Sequence, residues 1–283
     1  MFYKVELIYR KLRNRGEIIH LAGLASPVCR SLSNALRDVL SGEVSAEERS
    51  WINKIEVIRD ELNGSMTEVS VVDYGAGSAE RGLSADEMYR GIEETRIIGE
   101  ICKTASKPRL WAFLLFRIIR EMSPSVCLEL GTCLGISAAY QAAALKINHH
   151  GKIVTLEGAE SLASLAGKNF DMLGLDNVVV VVGRFQDTLG KVLREHGPVD
   201  FAFIDGHHDE KATLVYFDQI HPFLSDNALL VFDDIAWSRG MKRAWNTIVQ
   251  DRRIMVSVDL FSVGIVIVGH RQKDKKKFKI ALD

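Results

Sequence analysis

The sequence predicts a doubly wound α/β protein with a mostly parallel sheet and a helical N-terminal extension. From residue 125 onward, short apolar runs alternate with stretches of helical periodicity. Each strand-plus-helix unit takes roughly 20–28 residues, which is the rhythm of βαβ units in a sheet covered on both faces. Before residue 122 the apolar residues recur at helical spacing instead. The sheet should therefore lie after residue 125.

Seven apolar runs are the predicted strands, and their spacing divides them into two groups. The first five are Val126–Leu130, Ile153–Leu156, Val178–Val182, Phe201–Ile204 and Leu229–Phe232. The helices that follow them are expected at 136–147, 161–173, 188–195, 209–220 and 240–251. The last two runs, Ile254–Val258 and Val263–Val268, leave no room for a crossover helix, so they should pair antiparallel.

The N-terminal extension carries two capping boxes, each a serine followed three residues later by a glutamate. They are Ser45 with Glu48 and Ser84 with Glu87. The second box leads into an apolar stripe through Ile98 and Ile101, and Pro108 suits the first turn of another helix. Long apolar helices around 97–119 would also suit the seam of a homodimer.

The composition is that of a globular protein with no preferred charged partner. The 283 residues are 47% hydrophobic and carry a formal net charge of −1, so neither nucleic acid nor an acidic membrane is predicted as a partner. Residues 271–283 contain six basic and two acidic residues. They predict a solvated, frayed tail, with RNA or membrane binding as the alternative. We divide the chain into an extension (1–95), a sheet domain (96–270) and this tail (271–283).

The four cysteines and the absence of targeting signals predict a cytoplasmic location. No two cysteines form a CxxC pair, and Cys127 lies in an apolar run, which is typical of a reduced, buried thiol. The first 16 residues lack the apolar core and cleavage site of a signal peptide. No stretch approaches the ~18 apolar residues of a membrane span.

Glycines and a carboxylate follow the first two predicted strands, where ligands bind in such sheets. Gly131 and Gly135 would let the backbone approach a ligand, and the helix that follows would favour an anionic group. Glu157 ends the next strand and could accept two ribose hydroxyls. Phe185 and Gln186, after the third strand, could face an adenine ring. This pattern predicts a nucleoside cofactor, with a tight turn that binds nothing as the alternative.

Three carboxylates and a histidine follow the fourth and fifth predicted strands. Asp205 and His208 come after the fourth strand, and Asp233 and Asp234 come after the fifth. Carboxylates this close would raise each other's pKa unless a cation or hydrogen-bond donors compensate. An all-oxygen set suits Mg²⁺ or Ca²⁺ better than zinc. The alternative is that one aspartate caps a helix and another holds a loop.

Five segments together resemble class I S-adenosylmethionine-dependent methyltransferases. They are ELGTCLGIS, TLEG, GRFQD, FIDGHH and FDDIAWSRGMKRAW. The resemblance covers about residues 95–270 and points to the bacterial branch related to catechol and caffeoyl-CoA O-methyltransferases. It implies a Rossmann-like, seven-stranded sheet with an antiparallel last strand. It also implies transfer of the S-adenosylmethionine methyl group to the hydroxyl oxygen of a small acceptor.

The resemblance also implies a role for each residue that matches these motifs. The cofactor would contact Glu129, Gly131, Thr132, Gly135, Ser137, Glu157, Gly158, Gly183, Phe185, Gln186 and Asp205. Asp205, Asp233 and Asp234 would hold Mg²⁺ or another divalent cation. His208 stands where these enzymes carry a catalytic lysine, so His208 or Asp205 would be the base.

Two departures from the catechol-type pattern bear on the metal and the acceptor. The pattern ends in Asp-Asn, whereas this chain has Asp233-Asp234, and its lysine is His208. They leave open whether a metal is required and what the acceptor is. A cofactor-binding module without activity is the first alternative function. An NAD-linked oxidoreductase is the second, and the missing third glycine of a GxGxxG motif argues against it.

A second glycine-rich segment lies in the extension, from Val72 to Ser78. No acidic strand end follows it at the spacing that a cofactor loop requires. We interpret it as a turn folded against the mouth of the active site.

Overall fold

The computed structural model describes residues 13–75, 83–269 and 275–282. Its main sheet has eight strands in the order β10-β8-β9-β7-β6-β3-β4-β5. Strands β3 to β7 are parallel, and β9 pairs antiparallel with both β7 and β8. The predicted doubly wound, mostly parallel sheet is confirmed.

The strands of the main sheet and their helices lie close to their predicted positions. The strands are β3 (Val126–Leu130), β4 (Lys152–Glu157), β5 (Val178–Val182), β6 (Val199–Ile204), β7 (Leu224–Phe232), β8 (Ile254–Asp259), β9 (Gly264–Val268) and β10 (Lys276–Lys279). The helices are α7 (Ile136–Ile147), α8 (Glu160–Leu173), α9 (Phe185–His196), α10 (Glu210–Ile220) and α11 (Arg239–Gln250). Helices α7 and α8 cover one face of the sheet, and α9, α10 and α11 cover the other.

The eighth strand corrects the prediction of a seven-stranded sheet and of a frayed tail. Strand β10 pairs in parallel with β8, in the tail that was expected to be solvated. Phe278 and Ile280 are buried, whereas Lys277 and Lys279, which alternate with them, are exposed. Alternation with a period of two is the pattern of a half-buried strand, and the charge of the lysines obscured it.

The part of the chain before β3 contains more than the predicted helices. Residues 13–22 (α1) are helical, and the remaining elements are α2 (Pro27–Ser41), α3 (Ala46–Gly64), β1 (Glu68–Asp73), α4 (Ala85–Arg90), β2 (Ile92–Ile97), α5 (Ile98–Ala105) and α6 (Arg109–Met122). Strands β1 and β2 form an antiparallel hairpin. Both predicted capping boxes are present. Gly91, at φ 74°, ends the short helix α4 and starts β2, where the sequence predicted one continuing helical stripe.

Helix α6 anchors the extension to the sheet domain. Its apolar face is buried against α2 and α7, with Phe116 and Ile119 fully enclosed. Arg117 donates to Asp38 of α2 and to Glu48 of α3, so one guanidinium joins three helices. The apolar surface that suggested a homodimer seam is therefore covered by the chain's own helices. Among the described residues, no helix is both long enough and apolar enough to cross a membrane.

Candidate active site

A cavity of about 580 Å³ opens at the carboxyl ends of β3, β4, β6 and β7. The chain reverses its winding direction between β3 and β6, since β4 lies on one side of β3 and β6 on the other. Ligands bind at such a switch point in open α/β sheets. The hairpin β1–β2 and the segment between α5 and α6 complete the wall of the cavity.

The turn after β3 brings backbone to the cavity wall. Gly131 has φ 103°, and a Cβ atom there would lie 2.1 Å from the carbonyl oxygen of Asp205. Its N–H donates to the carbonyl of Leu156 at 3.0 Å, which ties the turn to the end of β4. Only glycine fits this position, because the φ value and the approach of β6 both exclude a side chain.

Gly135 serves packing rather than the cavity. It precedes helix α7 at φ 81°, and a Cβ atom there would lie 2.7 Å from the ring of Phe170. The cavity is lined instead by Thr132, Ile136 and Ser137. The two glycines that were predicted to contact the cofactor therefore differ in their surroundings, since Gly131 lines the cavity and Gly135 packs against Phe170.

Glu157 lies on the cavity wall at the end of β4. Its Oε2 accepts from the N–H of Cys133 at 2.7 Å, and its Oε1 accepts from the N–H of Ala159 at 2.9 Å. Burial raises the pKa of this carboxyl, although these backbone donors act in the opposite direction. A carboxylate offers about four acceptor positions, so Glu157 can still accept from a ligand hydroxyl.

Glu129 lies behind the wall and does not reach the cavity. Its side chain is fully buried and accepts from Gln141 Nε2 at 2.7 Å and from Thr155 Oγ1 at 2.6 Å. Burial raises the pKa of Glu129 to about 7. Its position supports the floor beneath the glycine turn.

Aromatic rings form the wall beside β5 and β6. Phe185, His207 and Tyr216 pack with their ring centroids 5.4–5.8 Å apart. His207 Nδ1 lies 2.8 Å from the Tyr216 hydroxyl, whereas its Nε2 has no partner among the described residues. A Cβ atom at Gly206 would lie 2.5 Å from the Phe185 ring, so glycine is what lets the loop pass this ring.

Asp205 and Asp233 lie against each other at the ends of β6 and β7, and a lysine contacts both carboxyl groups. Lys107 Nζ donates to Asp233 Oδ2 and lies 3.3 Å from Asp205 Oδ2. Burial alone would lower the pKa of Lys107, but the two carboxylates more than offset this and raise it. Burial and the charge of Asp233 raise the pKa of Asp205 well above its usual value. Burial opposes ionisation of Asp233 too, but Lys107 outweighs it and lowers the pKa of Asp233.

His208 stands between Asp205 and Asp234 at the same edge. Its Nε2 lies 3.7 Å from Asp205 Oδ1, and its Nδ1 lies 3.8 Å from Asp234 Oδ2. Burial lowers the pKa of the His208 imidazole, so the neutral form prevails at pH 7. The ring of Trp237 lies 5.9 Å away and forms the neighbouring wall.

The structure brings most of the predicted site residues to this cavity. Those on its wall are Gly131, Thr132, Ser137, Glu157, Gly158, Phe185, Asp205, His208, Asp233 and Asp234. Those that do not line it are Glu129, Gly135, Gly183 and Gln186.

Two contributions come from outside the sheet, of which the first was missed and the second was expected. Lys107 follows helix α5, and the only signal for it in the sequence is a polar break before Pro108. From the second glycine-rich segment, Asp73 and Tyr74 line the cavity, and a Cβ atom at Gly158 would lie 2.6 Å from the Tyr74 ring. The segment thus lies against the mouth as expected, although its residues 76–78 lie outside the described ranges.

Three side chains at this edge have the ligand atoms that a divalent cation could use. Ligand atoms of Asp205, His208 and Asp233 lie within 4.8 Å of one another, close enough to share an ion. Asp234, the third predicted ligand, does not belong to that group. The ammonium of Lys107 already lies against the oxygens of Asp205 and Asp233 that such an ion would need. With Lys107 in this place, the residues do not fit a metal between the two aspartates.

Comparisons with known proteins identify the family. A family described as "Methyltransferase domain" matches residues 128–235. A Mycobacterium tuberculosis protein named "Probable O-methyltransferase Rv1703c" is 30% identical over 210 residues, which cover 65% of this chain and 84% of that protein. A catechol O-methyltransferase of Niastella koreensis is 36% identical over 110 residues, covering 38% of this chain and 48% of the relative. The match therefore spans about half of that enzyme's length.

A solved structure shows the same fold. An O-methyltransferase from Bacillus cereus, crystallised with S-adenosylhomocysteine, superposes with a TM-score of 0.50 at 23% identity. The superposition covers 58% of this chain and 83% of that one. Together with the sequence relatives, the fold and site define a class I methyltransferase that uses S-adenosylmethionine. The chain belongs to the family that contains these O-methyltransferases. This membership argues against the alternative of an NAD-linked oxidoreductase.

Proposed function

We propose that this enzyme transfers the methyl group of S-adenosylmethionine to a hydroxyl oxygen of a small acceptor. The proposal rests on one observation: a single cavity holds both the glycine turn after β3 and, at the ends of β6 and β7, a histidine and carboxyl groups that could take a proton. A cavity of about 580 Å³ is of the size that small-molecule sites have. The names of the relatives support oxygen as the methylated atom.

The cofactor would lie along the ends of β3, β4 and β5. Glu157 would accept the ribose hydroxyls, and Phe185 would pack against the adenine ring. The backbone of Gly131 and the hydroxyls of Thr132 and Ser137 would face the methionine part. Glu129 would act from behind this wall, through Thr155 and Gln141, and would not contact the cofactor.

Methyl transfer from a sulfonium is an in-line displacement. The acceptor oxygen forms a bond to the methyl carbon while the carbon–sulfur bond breaks. The electron pair of the broken bond stays on sulfur, so the sulfonium becomes a neutral thioether. The protein therefore has to position the acceptor, exclude water and take the hydroxyl proton. His208 would take that proton, since its neutral imidazole lines the cavity. Asp205 would do so only in its ionised form, which its surroundings disfavour.

The base is tested with a substitution that suits the local backbone. His208 has φ 46°, a value that asparagine adopts more readily than alanine, so His208→Asn preserves the loop. We expect turnover to fall by roughly 10²–10⁴-fold, the usual contribution of a general base. Calorimetric titration of S-adenosylhomocysteine should give an unchanged affinity.

The matched control is His149→Asn, which replaces an exposed histidine at φ 53° outside the cavity. It should change neither turnover nor affinity. Undiminished turnover in His208→Asn would contradict the role of His208. Wild-type protein that binds S-adenosylhomocysteine but methylates none of a broad panel of hydroxylated acceptors would favour the binding module without activity.

We also propose a class of acceptor and a location for the protein. The acceptor is a small molecule rather than a nucleic acid, because the cavity is enclosed by the hairpin β1–β2 and by α5. A cytoplasmic location is proposed from the reduced cysteines of the sequence, all four of which are free in the structure.

A further inference from the structure

Lys107 reaches the centre of the site from outside the sheet. It lies in the segment between α5 and α6, and its side chain is only 10% exposed. Its Nζ donates to Asp233 Oδ2, lies 3.3 Å from Asp205 Oδ2 and stands 5.9 Å from the centre of the Phe203 ring. A buried ammonium between two carboxylates neutralises charge that would otherwise be repulsive.

The position of this ammonium is the one a divalent cation would need. Metal ions such as Mg²⁺ bind carboxylate oxygens at about 2.0–2.1 Å and prefer an octahedron of oxygens. The oxygens of Asp205 and Asp233 that could supply such ligands are in contact with Lys107. A dication there would meet both the steric bulk of the ammonium and its like charge.

The ammonium also has a hydrogen-bond donor to spare. A lysine side chain carries three N–H donors and no acceptor. Two of them face Asp233 and Asp205, and Lys107 lines the cavity, so the third can reach a ligand oxygen. An acceptor hydroxyl placed beside His208 would lie at the same edge, because Asp205 contacts both Lys107 and His208.

We propose that Lys107 is a tethered cation that takes the place of a divalent metal between Asp205 and Asp233, and that it binds the acceptor oxygen directly. The ammonium would stabilise the negative charge that develops on that oxygen as its proton leaves. The role in turnover rests on the proposed function. The exclusion of the metal does not rest on the proposed function, because it concerns only the side chains of Lys107, Asp205 and Asp233.

The exclusion of the metal is tested by Mn²⁺ binding, followed by electron paramagnetic resonance of free Mn²⁺. We expect wild-type protein to bind Mn²⁺ at least about tenfold more weakly than Lys107→Met, because the substitution frees two carboxylates for the ion. Lys107→Arg, which keeps the charge, should behave as wild type. Lys103→Met is the matched control, since Lys103 is an exposed lysine four residues earlier at the same cavity. It should not create a site.

Either of two results would overturn the inference. One is wild-type protein that binds Mn²⁺ as tightly as Lys107→Met. The other is Lys107→Met that is folded by circular dichroism but binds no more Mn²⁺ than wild type. If Lys107→Met does not fold, Lys107→Gln, which keeps a polar donor for Asp233, takes its place in the same comparison.

The same samples separate this inference from the proposed function. Titration of S-adenosylhomocysteine into wild-type protein should give the same affinity in EDTA and in Mg²⁺. No binding in either solution would contradict the proposed function. Intact binding that Mg²⁺ strengthens, together with tight Mn²⁺ binding by wild type, would contradict the role of Lys107 alone.

Discussion

The two halves of the cavity are built in different ways. The cofactor half consists of consecutive residues at the ends of β3 and β4, and backbone atoms supply many of its contacts, as at Gly131 and Glu157. The acceptor half is assembled from side chains that are far apart in sequence. Lys107 and Asp233, for example, are 126 residues apart. A half made of local backbone tolerates little change in shape, whereas a half made of distant side chains can change its chemistry by single substitutions.

The largest effect is expected from Gly131→Ala in the cofactor half. Its Cβ would lie 2.1 Å from the carbonyl oxygen of Asp205, at a φ of 103°. Backbone must move, so we expect loss of S-adenosylhomocysteine binding and destabilisation by about 2–4 kcal/mol. Calorimetric titration and thermal unfolding measure the two effects.

Gly190→Ala is the matched control, because Gly190 lies within helix α9 and its nearest neighbour would be 3.5 Å away. It should raise stability by about 0.5–1 kcal/mol. Normal cofactor affinity in Gly131→Ala would show that the glycine turn is not the rigid half of the site.

A smaller effect is expected from Glu157→Gln. The amide keeps one oxygen acceptor but loses the charge and the other oxygen, so one of the two backbone N–H groups and one ribose hydroxyl lose their acceptor. Hydrogen bonds to charged groups contribute about 1.5–3 kcal/mol, so affinity for S-adenosylhomocysteine should fall roughly 10–100-fold. Glu160→Gln, at the start of α8, is the control and should leave affinity unchanged. An unaltered titration for Glu157→Gln would remove Glu157 from the cofactor site.

The smallest effect concerns Glu129, which supports the cofactor half from behind. Burial raises its pKa from 4.5 to about 7, so the folded state holds this proton more tightly than the unfolded state does. The stability it contributes is full below pH 4.5 and is lost as pH rises through 7. Glu129→Gln should remove that part of the pH dependence because glutamine does not titrate. The new amide can also donate to Gln141 Oε1, which is buried and has no partner among the described residues of the native protein. Thermal unfolding of cofactor-free protein at pH 5, 6, 7 and 8 measures it, and parallel pH profiles for both proteins would contradict it.

The difference between the two halves of the cavity explains which parts of the site could be predicted from the sequence. A glycine turn and an acidic strand end are local signals, so Gly131 and Glu157 could be placed from the sequence, as could the strands that carry them. Nothing local marks Lys107, because its role arises only when the segment between α5 and α6 brings its side chain to the ends of β6 and β7. Strands β1 and β2 were missed because the capping box and the apolar stripe in this region were interpreted as one helical stretch. The packing of Gly135 against the Phe170 ring could not be predicted either, because that ring comes from α8, a helix further along the chain.

Strand β10 has a consequence for how the chain unfolds. The backbone N–H of Ala281, just beyond this strand, donates to Asn14 Oδ1 of α1 at 3.1 Å, and His20 packs its ring against Phe278 at 5.3 Å. Helix α1 and the last strand thus hold each other in place, while α2 and α3 are bound to α6 through Arg117. The extension, the sheet and the tail therefore contact one another in turn. Removing either α1 or β10 should destabilise the other as well.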